Sequence, residues 1–84
     1  MIRILYFARL RERLGVSEEQ LELPGGVRDV ADLIRHLRQR GDVWAEALGE
    51  GETIMMAVGQ ELARPETLIQ DGDEIGLFPP VTGG

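Results

Sequence analysis

Cysteine and lysine are both missing from this 84-residue chain, and serine and histidine occur once each, at Ser17 and His36. Without cysteine there is no disulfide framework and no thiolate metal site. His36 has no second histidine to complete a metal cluster; flanked by Arg35, Leu37 and Arg38, it reads as a structural or solvated side chain. Ser17 lies at no spacing that links it to an activating base. The short glycine pairs Gly25-Gly26 and Gly49-Glu50-Gly51 lack the lysine and the length of a phosphate-cradling loop. No stretch approaches the ~20 apolar residues of a membrane span, and Met1 leads directly into a strand-like run instead of a secretion signal. A cytoplasmic location is expected, with no metal and no membrane partner.

What is present fits one small domain with one core, since 43% of the residues are hydrophobic and the chain is short. The formal charge is −6, and all nine basic residues are arginine. That sign disfavours nucleic-acid binding driven by phosphate neutralisation. The acids are spread: Glu18 and Glu22 lie in a strand-like segment, and Asp71, Asp73 and Glu74 cluster at a turn. They read as a solvated face, not as a catalytic carboxylate pair. Taken by its own side chains, the chain is no enzyme.

Along the chain, residues 2–7 form an apolar β-run that puts Ile2, Ile4 and Tyr6 on one face. Residues 9–14 suit a helical turn stopped by Gly15. From 18 to 23 the pattern alternates, with Gln20 and Glu22 outward and Leu21 and Leu23 inward, until Pro24-Gly25-Gly26 breaks it. The clearest helix spans residues 27–40. Val27, Val30, Ala31, Ile34 and Leu37 make its apolar stripe. Asp29 and Asp32 near its start, and Arg35, Arg38 and Arg40 near its end, complement its dipole; Gly41 suits its stop. A shorter helix over 43–48 offers Trp44 as an apolar plug. Strands are expected at 53–58, with Met55-Met56 in or near the core, at 61–63, and at 74–78 after the Asp71-Gly72-Asp73 turn.

The order β, β, α, β, β, with the first and last strands among the most apolar, implies an α+β fold. A mixed sheet pairs those two strands at its centre, and one main helix lies across it. That arrangement is the β-grasp of ubiquitin-like proteins. Residues 1–78 then form a single domain, and residues 79–84 a flexible, extended tail leaving the middle of the sheet. Pro79 and Pro80 stop the ladder, and six extended residues reach roughly 20 Å. Gly83 and Gly84 carry no Cβ, so the end of the tail can thread a channel too narrow for other residues. A carboxylate at Gly84 is a poor electrophile until adenylated. Once activated it can accept sulfur as a thiocarboxylate, and a bulkier last residue would crowd both steps.

Two blocks carry a family likeness: Leu5-Tyr6-Phe7-Ala8-Arg9-Leu10-Arg11-Glu12 with Gly15 beyond it, and Asp71-Gly72-Asp73-Glu74-Ile75-Gly76-Leu77-Phe78-Pro79-Pro80-Val81-Thr82-Gly83-Gly84. With the long helix and the Trp44 segment in position, the sequence resembles the sulfur-carrier (small) subunits of molybdopterin synthase over nearly its whole length. The resemblance implies that an adenylyltransferase/sulfurtransferase activating enzyme uses ATP to form the acyl-adenylate at Gly84, then the thiocarboxylate. It implies insertion of Pro80, Val81, Thr82 and Gly83 into the large synthase subunit, in a heterotetramer of two small and two large subunits, and sulfur delivery to cyclic pyranopterin monophosphate. No cofactor is bound by the carrier itself, which is the non-catalytic subunit. Phe7, Leu62 and Phe78 are the implied partner-facing residues, flanking the tail. Gly59 and Leu77 depart from the family pattern, where asparagine and a second phenylalanine are expected. Carriers for thiamine or tRNA thiolation, and ubiquitin-like protein modifiers, share the Gly-Gly end and stand as alternatives.

Overall fold

The computed structural model describes residues 1–80. Among these the elements run β1 (Ile2–Tyr6), α1 (Ala8–Leu14), β2 (Glu18–Leu21), α2 (Val30–Arg38), α3 (Asp42–Ala47), β3 (Met55–Val58), β4 (Glu61–Leu62) and β5 (Glu74–Phe78). The strands form one sheet in the order β2-β1-β5-β3-β4. β1 and β5 pair in parallel at its centre, and every other neighbouring pair is antiparallel. The sheet is therefore mixed, with the first and last strands side by side, as the apolar content of those strands implies.

Alternation decides which face is buried. Ile2, Ile4 and Tyr6 of β1, Ile75 and Leu77 of β5 and Met56 of β3 point to one side, where Leu10 and Leu14 of α1, Val30, Leu33 and Leu37 of α2, and Ala47 cover them. Met55 and Met56 split between the faces: Met56 is buried and Met55 is exposed on the opposite side. Successive strand residues cannot both face the core.

The main helix is shorter than the expected span of 27–40. Asp29 caps it by accepting the Asp32 N–H at 2.8 Å, while the Asp32 carboxylate accepts the Arg28 N–H at 3.1 Å. The Asp29 cap satisfies the Asp32 N–H and sets the start at Val30, while the N–H groups of Val30 and Ala31 donate to the carbonyls of Thr67 at 3.1 Å and Pro65 at 2.9 Å. Val27 is buried just ahead of the helix, Leu33 joins the core fully, and Ala31 and Ile34 are only half-buried at its margin. Gly41, with φ 80°, precedes α3 as its N-cap residue.

Two strands are also shorter than expected, β2 at its end and β3 at its start, and pairing explains both. Leu21 pairs with Ile2, the first residue of β1, so beyond it Glu22 faces only the terminal residue Met1. Met55 pairs with Phe78, the last residue of β5; beyond it stand Pro79 and Pro80, which lack N–H donors.

Candidate functional site: the outer sheet face and the root of the tail

Because β1 and β5 are parallel, both finish at the same end of the sheet. α1 follows β1 and the tail follows β5, so topology brings α1 and the tail root together. The chain turns sharply between them at Ala8, whose φ of 53° is a left-handed value for a residue with a Cβ. Gly15, also left-handed at φ 74°, then closes α1 by donating its N–H to the Arg11 carbonyl at 2.9 Å. Pro79 is half-buried and Pro80 exposed. Val81, Thr82, Gly83 and Gly84 lie outside the described residues.

The face of the sheet away from the helices is apolar toward the tail. Across it, Leu5 is opposite Gly76, Gly76 opposite Ala57, and Ala57 opposite Leu62. The next row holds Met55 opposite Phe78, with Phe7 beside them, its ring centroid 6.4 Å from that of Phe78 in an edge-to-face arrangement. Gly76 is what lets the Phe7 ring lie over the central strand: a Cβ there would approach the Phe7 ring to 3.2 Å. Phe7 remains 44% exposed, Met55 37% and Leu62 76%. Three large apolar side chains left in water on one face of an 84-residue chain form a surface suited to a protein partner.

Of the three residues expected to face a partner, Phe7 and Phe78 stand together at the tail root. Leu62 shares their face but sits two strands from β5, at the sheet edge. Leu5 and Met55 complete the patch and were not singled out by the sequence; their alternation with buried neighbours is the signal that marks them. Farther from the tail the same face turns polar. Arg3 holds Glu18 at 2.7 Å and Glu74 at 3.8 Å, a charge ladder that bounds the apolar patch.

On the helix side, two clefts of about 210 and 430 Å³ flank the tail root. Arg9, Pro79 and Pro80 line both. Arg13 also lines the smaller cleft, where its guanidinium pairs with Glu52 at 2.9 Å.

A polar clamp steadies the other flank of the sheet. The Tyr6 hydroxyl donates to Glu19 at 2.7 Å, and Arg40 grips the same carboxylate with two bonds of 2.8 and 2.9 Å. The Arg40 guanidinium lies 4.4 Å from the Trp44 ring centroid, and Trp44 meets Tyr6 edge-on at 5.6 Å. Trp44 is thus a half-buried support for an ion pair as well as the expected plug. The Arg40 bonds, joined by the Tyr6 hydroxyl, hold the Glu19 carboxyl below its usual range. Burial foremost, then the bond to Glu19, pushes the Tyr6 phenol far above its usual range.

Among the described residues no group of three or more His, Asp or Glu side chains is placed to hold a metal, and no helix is long and apolar enough to cross a membrane. His36 lies half-buried on α2, away from the tail.

A model of the ThiS family matches residues 4–84. The chain belongs to the ThiS family. Over its full length it is 45% identical to a Haemophilus influenzae relative, and 39% identical to one from Escherichia coli, all of each relative being covered. Both relatives are named molybdopterin synthase sulfur carrier subunit. Among solved structures, a putative molybdopterin converting factor subunit 1 from Pyrococcus furiosus superimposes with a TM-score of 0.73 at 35% identity, over 95% of this chain and 97% of that one. The small archaeal modifier protein 1 of Methanosarcina acetivorans gives 0.72 at 28% identity, covering 99% and 95%. A Helicobacter pylori chain from the complex of subunits 1 and 2 of molybdopterin-converting factor gives 0.63 at 25%, covering 99% and 97%. The fold of this ThiS-family chain is the ubiquitin-like β-grasp.

Proposed function

We propose that this chain is the sulfur carrier of a molybdopterin synthase, reactive through the carboxylate of Gly84. The observation that carries the reading is the pairing of an exposed apolar face with a tail root at the same end of the central strands: Phe7 and Phe78 meet at 6.4 Å just before Pro79. The full-length likeness to proteins named as such carriers supports it.

In this reading, the Gly84 carboxylate attacks the α-phosphorus of ATP on an activating enzyme and pyrophosphate leaves. A sulfur donor then displaces AMP from the acyl carbon, leaving a thiocarboxylate. The apolar face docks on a large subunit, in keeping with the two-subunit complex of the Helicobacter pylori relative. Pro80, Val81, Thr82 and Gly83 carry Gly84 into that subunit's pocket, where sulfur passes to cyclic pyranopterin monophosphate. Two transfers complete one dithiolene, within a heterotetramer of two carriers and two large subunits. The net charge of −6 fits a division of labour in which the partner's cations hold the substrate phosphate.

The test is the intact mass of the carrier after incubation with ATP, the activating enzyme and a sulfur source. One oxygen replaced by sulfur is expected, and none when Gly84 is deleted. An unchanged mass with demonstrably active enzymes refutes the reading. The likeness to a protein named as a small archaeal modifier favours a second use, attachment of Gly84 to amines of other proteins. Cellular proteins carrying this chain through Gly84 would be its signature.

A further inference from the structure

The apolar patch stops where α1 begins, and the helix itself is cationic. Phe7 is the N-cap residue of α1, which then presents Arg9, Arg11 and Arg13 against one acid, Glu12. This concentration occurs in a chain whose net charge is −6. The turn that leads into β5 is acidic, with Asp71 and Asp73 ahead of Glu74, the strand's first residue. The tail end of the central strands thus carries a run of arginines, whereas at the opposite end Glu74 is already paired with Arg3 and Asp71 with the N-terminal ammonium.

Arg9 is the arginine that borders both clefts beside Pro79 and Pro80. Arg13 is engaged by Glu52. Arg9 is exposed and, among the described residues, makes no ion pair.

We propose that Arg9 forms the electrostatic half of the partner interface, docking against a carboxylate-bearing protein surface that borders the entrance admitting the tail. The inference rests on the carrier reading above and adds the chemistry of the partner's rim. Its occupant is set by continuity and charge. Arg9 stands two residues beyond Phe7 and lines the clefts beside Pro79 and Pro80, so a protein that covers Phe7 and Phe78 and also receives the tail comes within its reach. Screening near physiological salt confines attraction to charges within about 8 Å. A facing carboxylate satisfies Arg9 locally, whereas a nucleic-acid polyanion would meet the net negative charge of the whole chain. Such a rim contact acts chiefly on encounter and orientation. It would guide the tail to its channel before the apolar face closes.

The experiment measures association of the full-length chain with the large subunit by stopped flow at low and high salt. It compares wild type, Arg9→Gln, Arg9→Glu and the control Arg28→Glu. Arg28 is also exposed and lies ahead of α2, bonded to Ile69 at the other end of the sheet; its reversal changes net charge identically. Arg9→Glu is expected to slow association on the order of ten-fold at low salt and Arg9→Gln by less, with Arg28→Glu within about two-fold of wild type. The gap should close at about 0.5 M salt, while dissociation rates change little. Equal slowing by Arg9→Glu and Arg28→Glu would assign the effect to net charge and overturn the proposal, as would no slowing by either. An oligonucleotide bound by wild type and lost in Arg9→Glu would overturn it in favour of a nucleic-acid site. A wild-type chain that fails to associate while still acquiring sulfur overturns the partner reading and this proposal with it. Failure of the sulfur assay alone, with Arg9-dependent association intact, leaves the docking chemistry standing and rejects the carrier role.

Discussion

Leu62→Ala separates binding from folding more cleanly than any other change on the outer face. Leu62 belongs to a two-residue edge strand and is 76% exposed, so truncating it removes little that the fold uses. The stability change should stay within about 0.5 kcal/mol. A partner that covers the patch would bury most of that leucine. Complete burial of such a side chain is worth about 1.5–3 kcal/mol. Three quarters of it is still available, and alanine keeps one of the four side-chain carbons, which leaves a loss of about 0.8–1.7 kcal/mol on binding. The dissociation constant for the large subunit should rise about four- to twenty-fold. Phe7→Ala should behave differently, because its ring already covers Gly76 and abuts Phe78; affinity and stability should fall together. Titration calorimetry against the large subunit, paired with urea unfolding of the same preparations, reads both quantities. Wild-type affinity for Leu62→Ala would refute the claim that the partner covers the full width of the face. A stability loss above about 1.5 kcal/mol would show that Leu62 packs more than its exposure indicates.

The same geometry carries other expectations. Leu33 is fully buried under the sheet, so Leu33→Ala should cost about 2–5 kcal/mol in urea unfolding, and a cost under about 1 kcal/mol would contradict its place in the core. The Glu19 carboxyl is held below its usual range in the folded state, so its contribution is present above the unfolded value near about 4.3 and lost as pH falls through the folded one. The stability advantage of wild type over Glu19→Gln should therefore persist at about pH 6 and fade below about pH 4–5, whereas a pH-independent difference would exclude the ion pair as its source. At Gly76, alanine should be tolerated because the half-exposed Phe7 ring can tilt away. Valine should displace that ring and weaken large-subunit binding, and a crystal structure of Gly76→Val with Phe7 unmoved would count against the argument.

Much of this was legible in residue order. Alternation in 2–7 identifies Ile2, Ile4 and Tyr6 as one buried face, and the Asp71-Gly72-Asp73 turn marks the start of β5 at Glu74. Local chemistry also accounts for the Gly15 stop and the acids at the head of α2. Where pairing partners decide, local pattern was not enough. β2 stops at Leu21 because β1 begins opposite it, and β3 starts at Met55 because prolines come after Phe78. The helix start at Val30 was missed because an apolar stripe continues through Val27 whether or not the backbone there is helical; the Asp29 cap decides it.

The sequence by itself determined the order of the elements, the sidedness of β1 and β2 and the β-grasp arrangement, because these rest on side-chain period and on glycine and proline backbone chemistry. The tertiary structure decided which residues share a surface. Parallel pairing of β1 with β5 is what brings Phe7 and Arg9 to the root of the tail, and the β3–β4 register sets Leu62 on the same face. Those contacts join residues up to 71 positions apart, from Phe7 to Phe78. No local pattern encodes them; they exist only once the sheet has closed.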